Sequence, residues 1–172
     1  MAKRSDWIAK DGNTSLELIS ESPSHTQRIG VRIGELARAG DIVLLVGGLG
    51  TGKTCLAQGI AWGLGVEEYA VSPSFVLIRE YQGRLPLYHI DLYRIEGIEE
   101  VEGLGLEDYL HGKGVTVVEW AERGMSLVPR EHMLINMRYI SYNRRSLLLM
   151  SRGERYTEML MAIGGDWDCS SQ

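Results

Sequence analysis

The feature that most constrains this chain is residues 42–54, IVLLVGGLGTGKT, in which an apolar run breaks into glycines and closes on a lysine and a threonine. The apolar part, residues 42–46, is typical of a parallel strand that is buried on both faces and needs helices above and below it. The rest fits the pattern GxxxxGK[ST], whose glycines let successive backbone N–H groups turn toward one anion. The sequence therefore predicts a phosphate-binding loop between a buried strand and a helix.

Each part of this loop has an expected role toward a bound nucleotide. The Lys53 ammonium would reach the β and γ phosphates, and the Thr54 hydroxyl would ligate Mg2+. A helix that begins near Lys53 would direct the positive end of its dipole at the same phosphates. The alternative is a chance match, because glycine is common in this chain, with 21 residues. The remaining contacts to the phosphates are expected from Gly48, Leu49, Gly50, Thr51 and Gly52.

Composition favours one cytoplasmic domain, residues 1–172, with flexible ends at residues 1–12 and 164–172. The formal net charge of -5 gives no basic surface for tight, autonomous binding to nucleic acid. Two cysteines suit a reducing compartment without a disulfide framework, and no apolar stretch resembles a signal peptide or a membrane span. We therefore expect no membrane and no DNA among the partners.

The periodicity around the loop predicts an α/β domain of three layers with a mixed parallel and antiparallel sheet, as in P-loop NTPases. Residues 14–19 alternate as in an edge or half-buried strand, and a capping box at Ser24 and Gln27 predicts a helix that Gly40 ends. The strand of residues 42–46 should be central. Further elements are expected at residues 53–64 (helix), 75–81 and 87–90 (paired strands), 95–110 (a broken acidic helix pair), 115–118 (strand), 133–140 and 146–150 (a hairpin that extends the sheet antiparallel) and 156–163 (helix).

Two acidic residues are expected at the carboxyl ends of strands, where α/β proteins place ligands. Asp91, in the motif HIDLYR, could position water or Mg2+ while Arg94 balances phosphate charge, or the two could form a structural salt bridge. Glu119 is the candidate for the acid that holds Mg2+ in P-loop NTPases. An ordinary strand-end acid is the alternative for Glu119, and Glu122 is its local rival. With Lys53, these two carboxylates are the candidate catalytic residues.

The motif SPSF, residues 72–75, follows the helix after the loop. Pro73 fixes its own φ and biases Ser72 toward extended geometry, so the motif belongs to a connector rather than to a helix. In a phosphate-loop protein this position could hold a switch that senses the γ-phosphate, or it could be an ordinary loop. The sequence leaves both interpretations open.

The motifs GGLGTGKT, SPSF, LYHIDLYR, LGLEDYL and VVEW occur here in the order in which they occur in the bacterial TsaE (YjeE) family, which the chain resembles over about residues 24–152. The resemblance implies a small ATPase required for the threonylcarbamoyl modification of adenosine 37 in tRNAs that read codons beginning with A. It also implies action with the TsaB and TsaD proteins, with tRNA contacted indirectly through their complex.

By matching position, the resemblance assigns roles to individual residues. It implies that ATP and Mg2+ bind at the loop and that Asp91 is needed for activity. Two positions, Gly48 and Ser74, differ from the usual family residues. Gly48 stands where most members have Asp, which puts the hydrolysis rate in question more than nucleotide binding. The other implied roles are Lys53 on phosphate, Thr54 and Glu119 on Mg2+, Trp120 beside the nucleotide, Ser74 in place of the usual switch threonine, and Thr26 near the adenine.

Three other classes of protein remain to be separated from this one. A regulatory GTPase would usually carry an NKxD-type motif and DxxG, and the sequence has neither. A small-molecule phosphotransferase fits the size and the loop, with Arg144 and Arg145 as possible lid cations. A non-enzymatic scaffold would bind partners without nucleotide dependence. Since no arginine finger can be assigned within the chain, we expect low ATPase activity in isolation.

Overall fold

The computed structural model describes residues 7–10, 13–73 and 75–169. Within them, eight strands form one mixed sheet and five α-helices pack on it. The strands are β1 (Trp7–Lys10), β2 (Asn13–Ser20), β3 (Ile42–Val46), β4 (Ile78–Gln82), β5 (Pro86–Asp91), β6 (Val115–Glu119), β7 (His132–Tyr139) and β8 (Arg145–Arg152). The helices are α1 (Pro23–Leu36), α2 (Lys53–Gly63), α3 (Ile98–Glu102), α4 (Leu106–Leu110) and α5 (Glu154–Cys169). The strand order is β1-β2-β8-β7-β3-β6-β5-β4.

The loop strand β3 lies inside the sheet, between β7 and β6, and it runs parallel to both. Its side chains alternate between two separate apolar clusters. Val43 and Leu45 belong to the cluster that contains the buried residues of α1, α2 and α5. Ile42 and Leu44 belong to the cluster on the opposite face, with α3 and α4. The predicted three-layer α/β domain with a central loop strand and a mixed sheet is confirmed.

Helices α1 and α2 approach each other backbone to backbone, because glycines lie where they cross. A Cβ added to Gly30 would lie 2.4 Å from the carbonyl oxygen of Leu56, and one added to Gly59 would lie 2.1 Å from that of Gln27. Gly34 and Gly63 repeat the arrangement one turn further on. The N-terminus of α1 is thereby fixed beside the first turn of α2, which follows the phosphate loop.

The ends of the chain differ from the sequence-based expectation. Strand β1 occupies residues 7–10, where we expected no regular structure, and its antiparallel pairing with β2 excludes the edge position for β2. The alternative of a half-buried strand holds, because Leu16 and Leu18 are buried and Ile19 is exposed. Helix α5 continues to Cys169 instead of ending near residue 163. A glycine inside a helix costs only about 1 kcal/mol, so the two glycines at residues 164 and 165 did not stop this one.

Two local predictions were also wrong in detail. Helix α1 is capped by Ser22, whose side-chain oxygen accepts a hydrogen bond from the N–H of His25, and not by Ser24. Strands β7 and β8 form the predicted antiparallel hairpin, but β7 joins β3 in parallel. Among the described residues, no helix combines the length and the apolar content needed to cross a membrane.

Candidate nucleotide-binding site

The loop between β3 and α2 has the backbone conformation that a phosphate cradle requires. Gly47, Gly50 and Gly52 have φ angles of 141°, 75° and 98°, which residues with a Cβ rarely adopt. The loop is closed internally by the Thr51 hydroxyl, which donates to the carbonyl oxygen of Gly48 at 2.9 Å. A Cβ added at Gly48 would meet no atom within 4 Å, so this side of the loop is open to an incoming ligand.

Lys53, the first residue of α2, is held inside this loop. Its Nζ donates to the carbonyl oxygens of Gly47 at 2.6 Å and Gly48 at 2.9 Å, and it lies 3.9 Å from the ring centroid of Trp120. Burial lowers the pKa of the Lys53 ammonium, and nearby carboxylates, first that of Glu119, oppose the shift. A cation at the mouth of a glycine loop, held by carbonyl groups that phosphate oxygens can replace, suits a phosphate ligand.

Thr54 and Glu119 form the second part of the site. Parallel strands β3 and β6 end at the same edge of the sheet, and there the Thr54 hydroxyl donates to Oε2 of Glu119 at 2.9 Å. Two adjacent ligands of an octahedral Mg2+, each about 2.1 Å from the metal, are about 3.0 Å apart. The pair therefore fits one Mg2+. The described residues hold no cluster of three or more His, Cys, Asp or Glu side chains around a metal position, so phosphate and water oxygens would complete the shell.

Asp91 is buried at the end of β5, and its carboxylate is turned toward the connector that follows α2. It accepts hydrogen bonds from the hydroxyl of Ser72 and from the backbone N–H of Tyr93 at 2.9 Å. Arg94, considered from the sequence either as a balance for phosphate charge or as a salt-bridge partner of Asp91, places its guanidinium 4.0 Å from the ring centroid of Phe75. Asp91 is therefore bonded to Ser72 of the connector, and not to Arg94 as one interpretation of the sequence suggested.

Trp120 follows β6 in the left-handed conformation, with φ 56°, which is uncommon for a residue with a side chain. This turn brings its ring over Lys53 and within 4.9 Å of the ring centroid of Tyr93. A strained, half-buried aromatic residue at the mouth of a candidate site is consistent with a functional constraint on the backbone.

Thr26 is the one of the two remaining candidate residues, Thr26 and Ser74, that the structure describes. The hydroxyl of Thr26 is buried and lies 2.8 Å from that of Ser20, at the start of α1. The start of α1 adjoins the first turn of α2, where the Cys55 thiol lies 3.3 Å from the carbonyl oxygen of Pro23. Thr26 is therefore near the loop, but its hydroxyl is already bonded within the protein. Ser74 lies outside the described residues.

Two contacts at the site were not anticipated from the sequence. His89 Nε2 lies 2.8 Å from Oε1 of Glu119, although the two residues are 30 positions apart. Arg145 donates to the carbonyl oxygen of Gly50 at 3.2 Å, and its guanidinium lies 4.6 Å from the ring centroid of Tyr139. Together these two contacts join the β7–β8 hairpin to the loop. The only sequence signal for His89 was its alternation with Asp91, which puts both side chains on one face of β5.

Comparison with known proteins identifies close similarities over most of the chain. Residues 20–147 match the family model described as threonylcarbamoyl adenosine biosynthesis protein TsaE. The chain is 39% identical to a tRNA threonylcarbamoyladenosine biosynthesis protein TsaE of Treponema pallidum over 77% of this chain and 98% of that protein. It is 41% identical to the protein of the same description from Bacillus subtilis, over 81% of this chain and 87% of the relative. A crystal structure of Bacillus subtilis YdiB, 33% identical, superposes with a TM-score of 0.77 and covers 88% of this chain and 95% of that one.

Proposed function

The chain belongs to the TsaE family and takes part in the biosynthesis of threonylcarbamoyladenosine in tRNA, and from this premise we propose that it is a Mg2+-dependent ATPase that acts with the TsaD and TsaB proteins on adenosine 37 of tRNAs reading ANN codons. The observation that carries the ATPase proposal is the convergence of Lys53, Thr54 and Glu119 on one glycine loop. We further propose that residues 1–172 form a single domain that works in the cytoplasm.

In this proposal the loop binds ATP through its backbone N–H groups, from Gly48 to Gly52, and through the Lys53 ammonium. Thr54 and Glu119 hold Mg2+, which when bound neutralises charge on the β and γ phosphates during transfer. Trp120 limits the freedom of the Lys53 side chain and keeps its charge at the loop mouth. We also propose a place for Thr26 near the adenine and for Ser74 in the role of the usual switch threonine.

Asp91 has a different role from that of Glu119. Because its carboxylate is occupied by Ser72 and by the N–H of Tyr93, it acts on turnover through the position of the connector. The connector follows α2 directly, where phosphate-loop proteins keep the segment that senses the γ-phosphate. Ordering of this segment around ATP and its release after hydrolysis would give the protein two states that a partner can distinguish.

We propose that a partner supplies an arginine finger, because Arg144 and Arg145, the two cations considered from the sequence, are both bonded within the protein. Arg144 forms an ion pair with Glu21 at 2.8 Å, and Arg145 is bonded to the carbonyl oxygens of Ser141 and Gly50. A supplied arginine finger is worth roughly 10³ to 10⁵ in rate in GTPases. With a net charge of -5, the protein contacts tRNA through the TsaD–TsaB complex rather than by its own affinity.

The test measures ATP hydrolysis and multiple-turnover formation of threonylcarbamoyladenosine, with and without TsaD, TsaB and tRNA. We expect slow hydrolysis alone, stimulation by the complete system, a preference for ATP over GTP, and release of inorganic phosphate with no phosphorylated metabolite. Lys53→Ala should abolish the stimulation. Rapid hydrolysis by the isolated protein that ignores both partners, or a clear preference for GTP, would overturn the proposal.

A further inference from the structure

Both carboxylate oxygens of Glu119 are hydrogen-bonded, and only one of them faces the phosphate loop. Its Oε2 accepts a hydrogen bond from Thr54, and its Oε1 lies 2.8 Å from Nε2 of His89. His89 and Glu119 share the face of the sheet that α2 covers, because His89 lies opposite Val117 in the register of β5 and β6, two residues before Glu119. His89 is 1% exposed and Glu119 2% exposed, so water does not compete for this contact.

The direction of the hydrogen bond follows from the chemistry of the pair. A carboxylate only accepts hydrogen bonds, so Nε2 of His89 donates and carries the ring proton. The other ring nitrogen, Nδ1, is the one buried side-chain nitrogen or oxygen atom of the described, non-exposed residues that lacks a partner. A buried polar atom without a partner destabilises a fold by about 1 to 3 kcal/mol. The Nε2 contact is therefore the side-chain hydrogen bond that fixes the orientation of the His89 ring.

We propose that His89 is a positioning residue that fixes the carboxylate of Glu119 so that Oε2 is presented to Mg2+ beside Thr54. The proposal rests on the Mg2+ site of the proposed function. A carboxylate free to rotate about its last torsion would present either oxygen, whereas a donor on Oε1 leaves Oε2 directed at the metal position. Groups that orient metal ligands in this way commonly change metal affinity about 10- to 100-fold when they are removed.

The experiment compares two substitutions that differ in where they place an amide nitrogen. The side-chain nitrogen in His89→Gln can occupy the position of Nε2 and donate to Glu119. In His89→Asn it falls nearer to the position of Nδ1 and does not reach. The affinity for Mn2+, a spectroscopic substitute for Mg2+, is measured by electron paramagnetic resonance in the presence of ADP. Binding of ADP in EDTA and thermal unfolding are measured on the same samples.

We expect His89→Asn to weaken Mn2+ binding by roughly 10- to 100-fold and His89→Gln to restore most of the affinity. ADP binding in EDTA should remain close to that of the wild type in both variants, because His89 does not touch the loop. Val117→Ala is the matched control, since it opens a cavity beside His89 and lowers stability without removing a hydrogen bond.

Wild-type Mn2+ affinity in His89→Asn would overturn the assignment, as would an equal loss in both His89 variants and in Val117→Ala, which indicates a purely structural effect. Absence of metal-dependent ADP binding in the wild-type protein would instead overturn the Mg2+ site itself. The two failures are therefore distinguishable.

Discussion

The hydroxyl of Ser72 donates a hydrogen bond to the carboxylate of Asp91, and this contact joins the connector after α2 to the carboxyl end of β5. The backbone N–H of Asp91 also donates to the carbonyl oxygen of Leu77 at 2.9 Å. Leu77 has φ 67°, so the connector leaves this contact in a strained conformation. Asp91 therefore holds the connector at two points, one on each side of residues 73–76.

Removal of this link should affect turnover more than nucleotide binding. We expect Ser72→Ala and Asp91→Asn each to slow multiple-turnover formation of threonylcarbamoyladenosine by about tenfold or more, since a hydrogen bond to a charged group contributes roughly 1.5 to 3 kcal/mol. Ser72→Ala removes this contact and Asp91→Asn removes its negative charge, so their effects should not add in the double variant. Asp91→Ala should fail in cycling while it still binds TsaD and TsaB. Cycling at the wild-type rate by Asp91→Ala would reduce Asp91 to a structural residue.

Lys53, Thr54 and Glu119 should be separable by calorimetry with ATP in the presence and absence of Mg2+. Lys53→Ala removes the cation that the loop directs at the phosphates, so we expect loss of measurable ATP affinity in both conditions. Thr54→Ala and Glu119→Ala remove metal ligands, so the affinity in EDTA should stay and the gain on adding Mg2+ should fall. Normal Mg-ATP binding by Lys53→Ala would contradict the assignment of the loop.

Gly48, the position where most family members are expected to carry Asp, should accept that residue. Its φ lies outside the left-handed region and a Cβ there meets nothing within 4 Å, so Gly48→Asp should change the free energy of unfolding by less than about 0.5 kcal/mol. We expect faster ATP hydrolysis, because an added acceptor can stabilise the loop. Gly50→Ala is the control, since the same open space is combined with φ 75° and the left-handed backbone strains a side chain. Equal effects of the two substitutions on unfolding and ATP binding would refute the distinction.

The crossing of α1 and α2 predicts a large difference between two helical glycines. Gly59→Ala would bring a Cβ to 2.1 Å from the carbonyl oxygen of Gln27, so the helices must separate, and we expect a loss of about 1 to 3 kcal/mol in the free energy of unfolding. Gly165→Ala in α5 meets nothing within 4 Å and should stabilise by up to about 1 kcal/mol. Urea denaturation of both variants measures the contrast, and a neutral Gly59→Ala would show that the helices can part without cost.

The parts of the fold that depend on local pattern were predictable from the sequence. Residues 42–64 carry the strand, the loop and the helix in one uninterrupted stretch, and Gly65, with φ 76°, ends α2 as expected. The cap of α1 could also have been assigned, because Pro23 suits the first turn of a helix and makes the residue before it, Ser22, the better cap. The pairing of β1 with β2 was missed although the sequence carries a signal for it, because residues 11 and 12 are Asp-Gly, a pair that favours a two-residue connection between antiparallel strands.

The candidate site was likewise predictable from the sequence only in part. Lys53 and Thr54 belong to a contiguous motif, and Glu119 could be placed because parallel strands end together. The contacts of His89 with Glu119 and of Ser72 with Asp91 join segments that are 30 and 19 residues apart. Such contacts depend on the register between strands and on the path of a connector without regular structure, neither of which hydrophobic periodicity encodes.

Contacts between side chains can yield when a rotamer changes, but atoms of two backbones in contact have no such freedom. Helices α1 and α2 touch through Gly30, Gly34, Gly59 and Gly63, so they move as one rigid unit rather than independently. Any tilt of α2 imposed at its phosphate-loop end must be shared by α1. The chain segments at the far ends of the two helices, residues 37–41 and 64–66, would then be displaced together, on the side of the molecule away from the loop.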